Sequence, residues 1–292
     1  LCFSGPSWPL KQDPSLPAEL VWLTLLTDEV HKNPRGFWEA KLMKGTVMVH
    51  IPAGEFTMGS PDGEPGREPD EGPLHSVFVK DIMIGRSEVT RGIWNAVMGG
   101  RPPAPEERDL PQGDVSYQGI QSFLRKLNAE SGLDFRLPTE AEWEKCCRGG
   151  NWSPRYGPLE EIAWYARNSD GKAHPVGTKK PNGYGLFDML GNAWEWCSDW
   201  FGKTYYGTSP STDPVGPGGG ARRVCRGGGY LHGETYLRSA HRNSQDPAKH
   251  KPYLGFRLVL DSPLKPVRTE MGRAVELGGG APNFLGIIAA AL

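Results

Sequence analysis

Hydrophobic and polar positions follow clear periods in the first half of the chain and lose them in the second. Val47-Met48-Val49-His50-Ile51 is rich in β-branched residues and closes on Pro52-Ala53-Gly54, which predicts a strand. Phe56 to Ser60 follows as a further short extended run, and an acidic, Pro/Gly-rich loop occupies Pro61 to Pro73. His75 to Ile84 (HSVFVKDIMI) alternates again and predicts one strand. Ile93, Trp94 and Val97 then share one helical face behind Thr90, a residue suited to cap that helix. Ile120, Phe123, Leu124 and Leu127 repeat at helical spacing after Ser116 and predict a helix reaching Asn128. Thr139-Glu140-Ala141-Glu142 has the form of a capping box, so a third helix is expected to about Cys147, ahead of Gly149-Gly150. After Asn151 only short apolar runs remain, separated by Gly, Asn and Pro. The N-terminal stretch 1–38 reads as an extension holding an amphipathic run, Leu20 to Val30, that stops near Asn33-Pro34. Residues 39–262 read as the main domain, and residues 263–292 as a tail whose end, Phe284 to Leu292, is almost wholly apolar.

Composition narrows the class. The 292 residues contain 37% hydrophobic positions, ten Trp, ten Phe and nine Tyr, enough for a core. Gly (39) and Pro (27) favour many turns over long helices. A formal charge of −1 gives no electrostatic support for nucleic-acid or membrane-surface binding. No stretch reaches the ~18 apolar residues of a membrane span. The five cysteines (Cys2, Cys146, Cys147, Cys197 and Cys225) are odd in number and show no CxxC spacing, so buried free thiols are expected rather than a disulfide framework. Cys2 near the start is compatible with a lipidated, secreted or surface-attached protein, and the compartment stays open.

Four blocks, in order, carry a resemblance: Ile51 to Ser60 (IPAGEFTMGS), Glu88-Val89-Thr90, Phe135 to Gly150 (FRLPTEAEWEKCCRGG), and Gly183 to Trp200 (GYGLFDMLGNAWEWCSDW) with Arg223 to Arg242 and Leu254 to Val259. Together they resemble the formylglycine-generating, or sulfatase-modifying-factor, family. The resemblance implies an α+β, irregular C-type lectin-like fold with twisted antiparallel sheets, two main helices and little regular secondary structure. That family includes copper oxidases, domains joined to iron centres in sulfoxide synthases, and non-catalytic receptors such as the variable proteins of diversity-generating retroelements. Fold does not choose among them.

The resemblance also shows what is absent. Copper(I) prefers soft thiolates, and catalytic members of the family supply two. His232 stands at the first position, the segment of the second is shortened, and no cysteine follows Arg226. Gly229 replaces the Ser of the family's Arg-Gly-Gly-Ser run. His174, His232, His241 and His250 are scattered on what reads as loop, so neither copper nor iron is expected. Calcium is the cation expected. The resemblance places it on Asp188 and Glu195 through their side chains and on Gly191 and Ala193 through their carbonyls, an oxygen set suited to a hard cation. Hydrogen bonding of both carboxylates to turn amides is the alternative. Cys147 matches a cysteine that some relatives bridge to the residue after Gly-Phe-Arg, here Leu258, so that bridge cannot form.

Tyr230, His232, Glu234, Tyr236, His241, Asn243, Gln245, His250 and Tyr253 lie between framework residues and follow no core-like period. Aromatic and adaptable polar side chains on a rigid frame suit recognition. The expected role is a non-catalytic binding or assembly protein that takes a protein or glycan partner through residues 230–253. Two alternatives stay open: a metal-dependent oxidoreductase of the formylglycine-generating or sulfoxide-synthase type, and a structural subunit that self-assembles through its C-terminal tail. Arg238, Arg242 and Arg257 are expected to brace acidic residues or carbonyls within the frame.

Overall fold

The computed structural model describes residues 13–261. Cys2 and the apolar tail, with its expected docking role, lie outside them. Three sheets and a few short helices make up the fold. The largest sheet has six strands in the order Val30–Lys32, Trp38–Lys41, Val47–Ile51, Ile82–Gly85, Val259–Leu260 and Phe135–Arg136. Every neighbouring pair in it is antiparallel. A four-stranded sheet runs Asn243–Gln245, Arg223–Arg226, Trp194–Trp200 and Leu254–Gly255, with its last pairing parallel. Gly54–Met58 and His75–Val79 form a separate antiparallel pair. This is the mixed α+β architecture that the blocks imply.

The helices start where side chains can satisfy their first amides. Helix α1 (Arg91–Met98) begins with Thr90 Oγ1 accepting from the Ile93 amide at 3.2 Å. Helix α2 (Tyr117–Ser131) begins with Ser116 Oγ accepting from Gly119 at 3.1 Å and ends on left-handed Gly132. It runs past Asn128 because Gly132 supplies its C-terminal turn. Helix α3 (Glu140–Arg148) carries both arms of the capping box: Glu142 donates its amide to Thr139 Oγ1 at 3.2 Å, and the Glu142 carboxylate accepts from the Thr139 amide at 2.8 Å. Replacing Thr139 with Ala should cost about 1 kcal/mol in chemical denaturation. An unchanged midpoint would show that tertiary packing, not the cap, sets this helix start.

Two expectations need correction. His75 to Ile84 is two strands in different sheets, broken at Lys80-Asp81, because alternation fixes faces but not partners. Residues 30–38 do not belong to a separate extension: Val30–Lys32 pairs with Trp38–Lys41 and so edges the main sheet. Before it, Leu20, Trp22 and Leu23 are buried in the same core cluster as Trp38 and Met48. The long strand Trp194–Trp200 is the element the hydrophobic pattern missed. Five of its seven residues, Trp194, Glu195, Trp196, Cys197 and Asp199, are buried on both faces, so no alternation marks it. Among the described residues no helix is long and apolar enough to cross a membrane.

Candidate functional site: an aromatic cleft over the central strand

Strand Trp194–Trp200 positions the site. It lies between Arg223–Arg226 and Leu254–Gly255, and the Trp194 amide donates to Tyr253 O at 2.8 Å. After Arg226 the chain turns back on Gly227 and Gly228, whose φ values are +100° and +77°. It then packs Gly229 so closely that an added Cβ would lie 3.2 Å from Trp194 Cδ1. Tyr230 and His232 are fixed by backbone bonds, Tyr230 N to Asn192 O at 2.9 Å and His232 N to Gly229 O at 2.8 Å. The imidazole of His232 is thereby set beside the indole of Trp194.

Trp194 Nε1 donates to His232 Nδ1 at 3.2 Å. An indole nitrogen can only donate, so Nδ1 must accept and the ring is neutral with its proton on Nε2. Burial, together with nearby His241, holds the His232 pKa below its ordinary value despite an opposing interaction with the Gly229 carbonyl. Edge-to-face contacts surround this pair. His232 meets Tyr253 at 4.8 Å and Tyr236 at 5.5 Å between ring centroids, and Tyr236 meets His241 at 5.2 Å. Such aromatic pairs contribute beyond their buried area. The small cleft beside them, about 60 Å³, is lined by Trp194, Cys225, His232, Asn243, Gln245 and Tyr253.

The expected recognition residues divide. Tyr236 is exposed at 39%, His232 and Tyr253 are half-buried, and Asn243 and Gln245 stand at the cleft. Glu234 is exposed and lies 3.6 Å from Arg167, while His250 pairs with Asp114 at 2.8 Å, away from the aromatic rings named above. Tyr230 and His241 do not reach the surface as expected. The Tyr230 carbonyl accepts from buried Ser169 Oγ at 2.7 Å, and His241 is 6% exposed with Nδ1 3.6 Å from Glu71. His241 therefore supports the cluster from below. It also helps hold the Glu71 carboxyl well below the usual range: burial alone would raise it, but the nearby His241 and hydrogen bonds from Arg238 and Ser60 outweigh that.

The bracing arginines are where expected. Arg238 contacts Glu64 at 2.6 Å and Glu71 at 2.5 Å, tying the acidic loop to the 230–253 segment. Arg242 binds Glu140 through Nε and Nη2 at 2.7 and 2.8 Å. Arg257 binds both oxygens of Glu195 at 2.6 Å. Cys146, Cys147, Cys197 and Cys225 are buried free thiols, and burial pushes all four upward, Cys147 to about 12. None is poised as a thiolate.

The expected calcium set fits only in part. Asp188 has φ +56°, accepts from Gly177 N at 2.7 Å through Oδ2, and leaves buried Oδ1 without a partner. Gly191 is required where it stands, with φ +85° and room for a Cβ blocked at 2.5 Å by Trp164 O. Ala193 is buried. Glu195 is already engaged: Arg257 binds both of its oxygens, and Trp143 Nε1 donates to Oε2 at 2.7 Å. The buried carboxylate with open oxygens is Glu88, which is 1% exposed and has no partner on either oxygen. In the sequence Glu88 stands out only within its Glu88-Val89-Thr90 block. Its one local signal was an acid set directly before buried Val89 and Thr90. Among the described residues no three His, Cys, Asp or Glu side chains converge as a metal cluster.

Twisted antiparallel strands joined by long irregular loops, with a braced loop over a central Trp-rich strand, define a C-type lectin-like protein of the formylglycine-generating type. The model of the sulfatase-modifying factor enzyme 1-like domain matches residues 36–262, and the chain belongs to that family. The formylglycine-generating enzyme of Streptomyces coelicolor is 32% identical, covering 74% of this chain and 90% of that protein. Among solved structures, PvdO from Pseudomonas aeruginosa superposes with a TM-score of 0.71 at 29% identity, over 79% of this chain and all of that one. Treponema denticola variable protein 1 gives 0.67 at 30% identity, over 74% and 95%.

Proposed function

We propose that this chain is a non-catalytic, ligand-binding member of its family, and that a protein or glycan partner docks on the cleft of Trp194, His232, Tyr236 and Tyr253. The observation that carries this reading is His232. At the position where catalytic relatives supply a thiol, this chain has a neutral imidazole bonded to Trp194 and enclosed by tyrosines. Such a slot offers ring faces for stacking, with an Nε2–H donor and the Asn243 and Gln245 amides for orientation. The similarity to a variable protein supports binding as a role this scaffold takes. Calcium remains part of the proposal as a structural cation.

A metal-dependent oxidoreductase is the second reading, favoured by enzymes among the relatives and by Cys225 and His232 lining one cleft. The upward shift of the buried Cys225 thiol weighs against it. Elemental analysis of the purified chain separates the two, since stoichiometric copper or iron retained by wild type and lost in His232→Ala would establish the oxidoreductase.

The binding reading predicts a hot spot. Ligands selected from glycan arrays and peptide libraries should lose ~30-fold or more in affinity to the Tyr236→Ala/Tyr253→Ala variant, the effect of removing central aromatic anchors. The thermal midpoint should move little, because neither ring is fully buried. Unchanged affinity in that variant would place the binding site elsewhere.

A further inference from the structure

The free hydrogen-bonding groups along one wall of the aromatic cleft are of one kind. A backbone amide only donates, so the side-chain atom that meets it must accept. Asn243 Oδ1 accepts from the Ser244 amide at 2.7 Å, and Gln245 Oε1 accepts from the Asp246 amide at 3.2 Å. Each side chain is left with its NH2 group to offer. Ser244 Oγ accepts from Arg222 Nε at 3.0 Å and keeps its O–H to donate. The acceptor of His232, Nδ1, is taken by Trp194, which leaves Nε2–H. These four side chains line the cleft, and each has spent an acceptor on the protein itself.

Positive charge stands beside these donors. Residues directly opposite in antiparallel strands share a face. Cys225 and Arg223 lie opposite Asn243 and Gln245, so Arg223 stands on the face of the cleft. Its guanidinium is held 3.5 Å from the Trp200 ring centre and 4.5 Å from that of Tyr117. Its Nη1 donates to Ser198 O, and its buried Nε has no partner. Arg222 is exposed at the sheet edge and also donates to Ser244 O. Arg226, Arg238, Arg242 and Arg257 each close on a carboxylate. Among the described residues Arg222 and Arg223 do not; their hydrogen bonds go to Ser244 and Ser198. Donors beside two uncompensated guanidinium groups match an oxyanion.

The sheet edge decides what carries that oxyanion. Asn243–Gln245 is the outer strand of its sheet, a place where an extended peptide can add through main-chain bonds. Here the Ser244 amide is held by Asn243 and the Ser244 carbonyl by Arg222, which closes the edge to a further strand. The rings of His232, Tyr236 and Tyr253 remain, meeting edge to face. Their faces are apolar and their rims polar, which suits a pyranose with its C–H face and surrounding hydroxyls. We propose that the partner of this cleft is an acidic glycan, whose carboxylate or sulfate lies against Arg222, Arg223 and the Asn243 and Gln245 amides while a sugar ring rests on the tyrosines. This rests on the binding reading above and narrows it to one ligand class.

The test is calorimetric titration of the full chain with four probes. Oligogalacturonate carries carboxylates, heparin oligosaccharide carries sulfates, a malto-oligosaccharide is the neutral sugar, and a glutamate-rich peptide is the acidic non-sugar. At least one acidic sugar should bind ~10-fold or more tightly than the neutral sugar and the peptide, and the stronger of the two identifies the oxyanion. Its affinity should fall with added salt, because the charges at the rim are exposed. Arg222→Gln lies at an exposed position, keeps an amide donor for Ser244, and should weaken the acidic sugar ~10-fold, the scale of a hydrogen bond to a charged group. Equal binding of acidic and neutral sugars, preference for the peptide, or an unchanged Arg222→Gln variant would overturn the assignment. A neutral sugar or peptide that still loses affinity in the Tyr236→Ala/Tyr253→Ala variant would overturn it while the binding reading stands. Acidic-sugar binding that this tyrosine variant leaves untouched would overturn both.

Discussion

Replacing Glu144 with Gln should destabilise this protein by about 3–5 kcal/mol, the usual cost of removing one partner from a buried ion pair. Glu144 on α3 is fully buried and sits at a junction. Its Oε1 accepts from Arg148 Nη2 at 2.7 Å and from the Gly59 amide at 2.9 Å, and its Oε2 pairs with the fully buried Arg226. Arg226 in turn donates to the His241 carbonyl, and Arg148 Nη2 donates to Gly59 O at 2.6 Å. One carboxylate thus joins α3, the end of Gly54–Met58, and the strand Arg223–Arg226 that leads into the cleft. The charge count is tight: Glu140 and Glu144 oppose Arg148, Arg226 and Arg242. Gln keeps the shape but leaves one negative charge against three positive ones in a dry interior.

That loss is large against a total stability of roughly 5–15 kcal/mol. For a chain this size it should lower the thermal midpoint by roughly 10 °C. Glu161→Gln, which breaks an exposed pair with Lys180 at 2.8 Å, is the control and should change little. Urea denaturation of both variants decides the matter. A Glu144→Gln variant within 1 kcal/mol of wild type would mean that water reaches this junction and screens it.

The contrast between Glu144 and the helix that carries it shows what a sequence can and cannot reveal. Helix α3 was legible because its capping box is local, three residues apart and bonded to its own backbone. Ser116 and the apolar face of α2 were legible for the same reason. Apart from Arg148 one turn on, the partners of Glu144 are 82 and 85 residues away, at Arg226 and Gly59, and no local period encodes them. Arg238, Arg242 and Arg257 were legible as braces but not their carboxylates, since Glu71, Glu140 and Glu195 look like ordinary surface acids in composition. The candidate site follows this division. Its aromatic members were visible by type, and Tyr236 and Tyr253 do reach the surface. Tyr230 and His241 were misplaced because backbone bonds from Tyr230 to Asn192 O and from Ser239 to Pro154 O set the path of 230–242, and no local pattern encodes such long-range hydrogen bonds. Glu195 is expected as a ligand from the resemblance; its partner in space, Arg257, lies 62 residues on, and no local pattern marks that pair.

Stability should fall as pH rises from about 5 to 8, and Asp199→Asn should remove part of that slope. Asp199 is 3% exposed on the central strand. Burial, then the charge of Glu140, pushes its carboxyl from 3.8 up to about 8. The folded protein therefore holds a proton there that the unfolded chain has released. A raised carboxyl contributes stability that is full below the unfolded value and is lost as pH climbs to the folded one. The slope is at most ~1.4 kcal/mol per pH unit for one proton, so pH 5 to 8 accounts for at most ~4 kcal/mol. Carboxyls held low, such as Glu71 and Glu140, act in the opposite direction only in more acidic solution. Burial pushes the Glu88 and Asp188 carboxyls upward as well, so they add slope of the same sign that Asp199→Asn leaves in place. Asn preserves the acceptor that takes the Glu140 amide at 2.9 Å and the Ser198 hydroxyl at 3.2 Å, so the variant should fold. Urea midpoints at four pH values give the result directly, and equal slopes for wild type and Asp199→Asn would sink the argument. Trp194 begins the strand that Asp199 helps to hold, so a stability gain at pH 8 in Asp199→Asn should also steady the cleft and leave its ligand affinity intact.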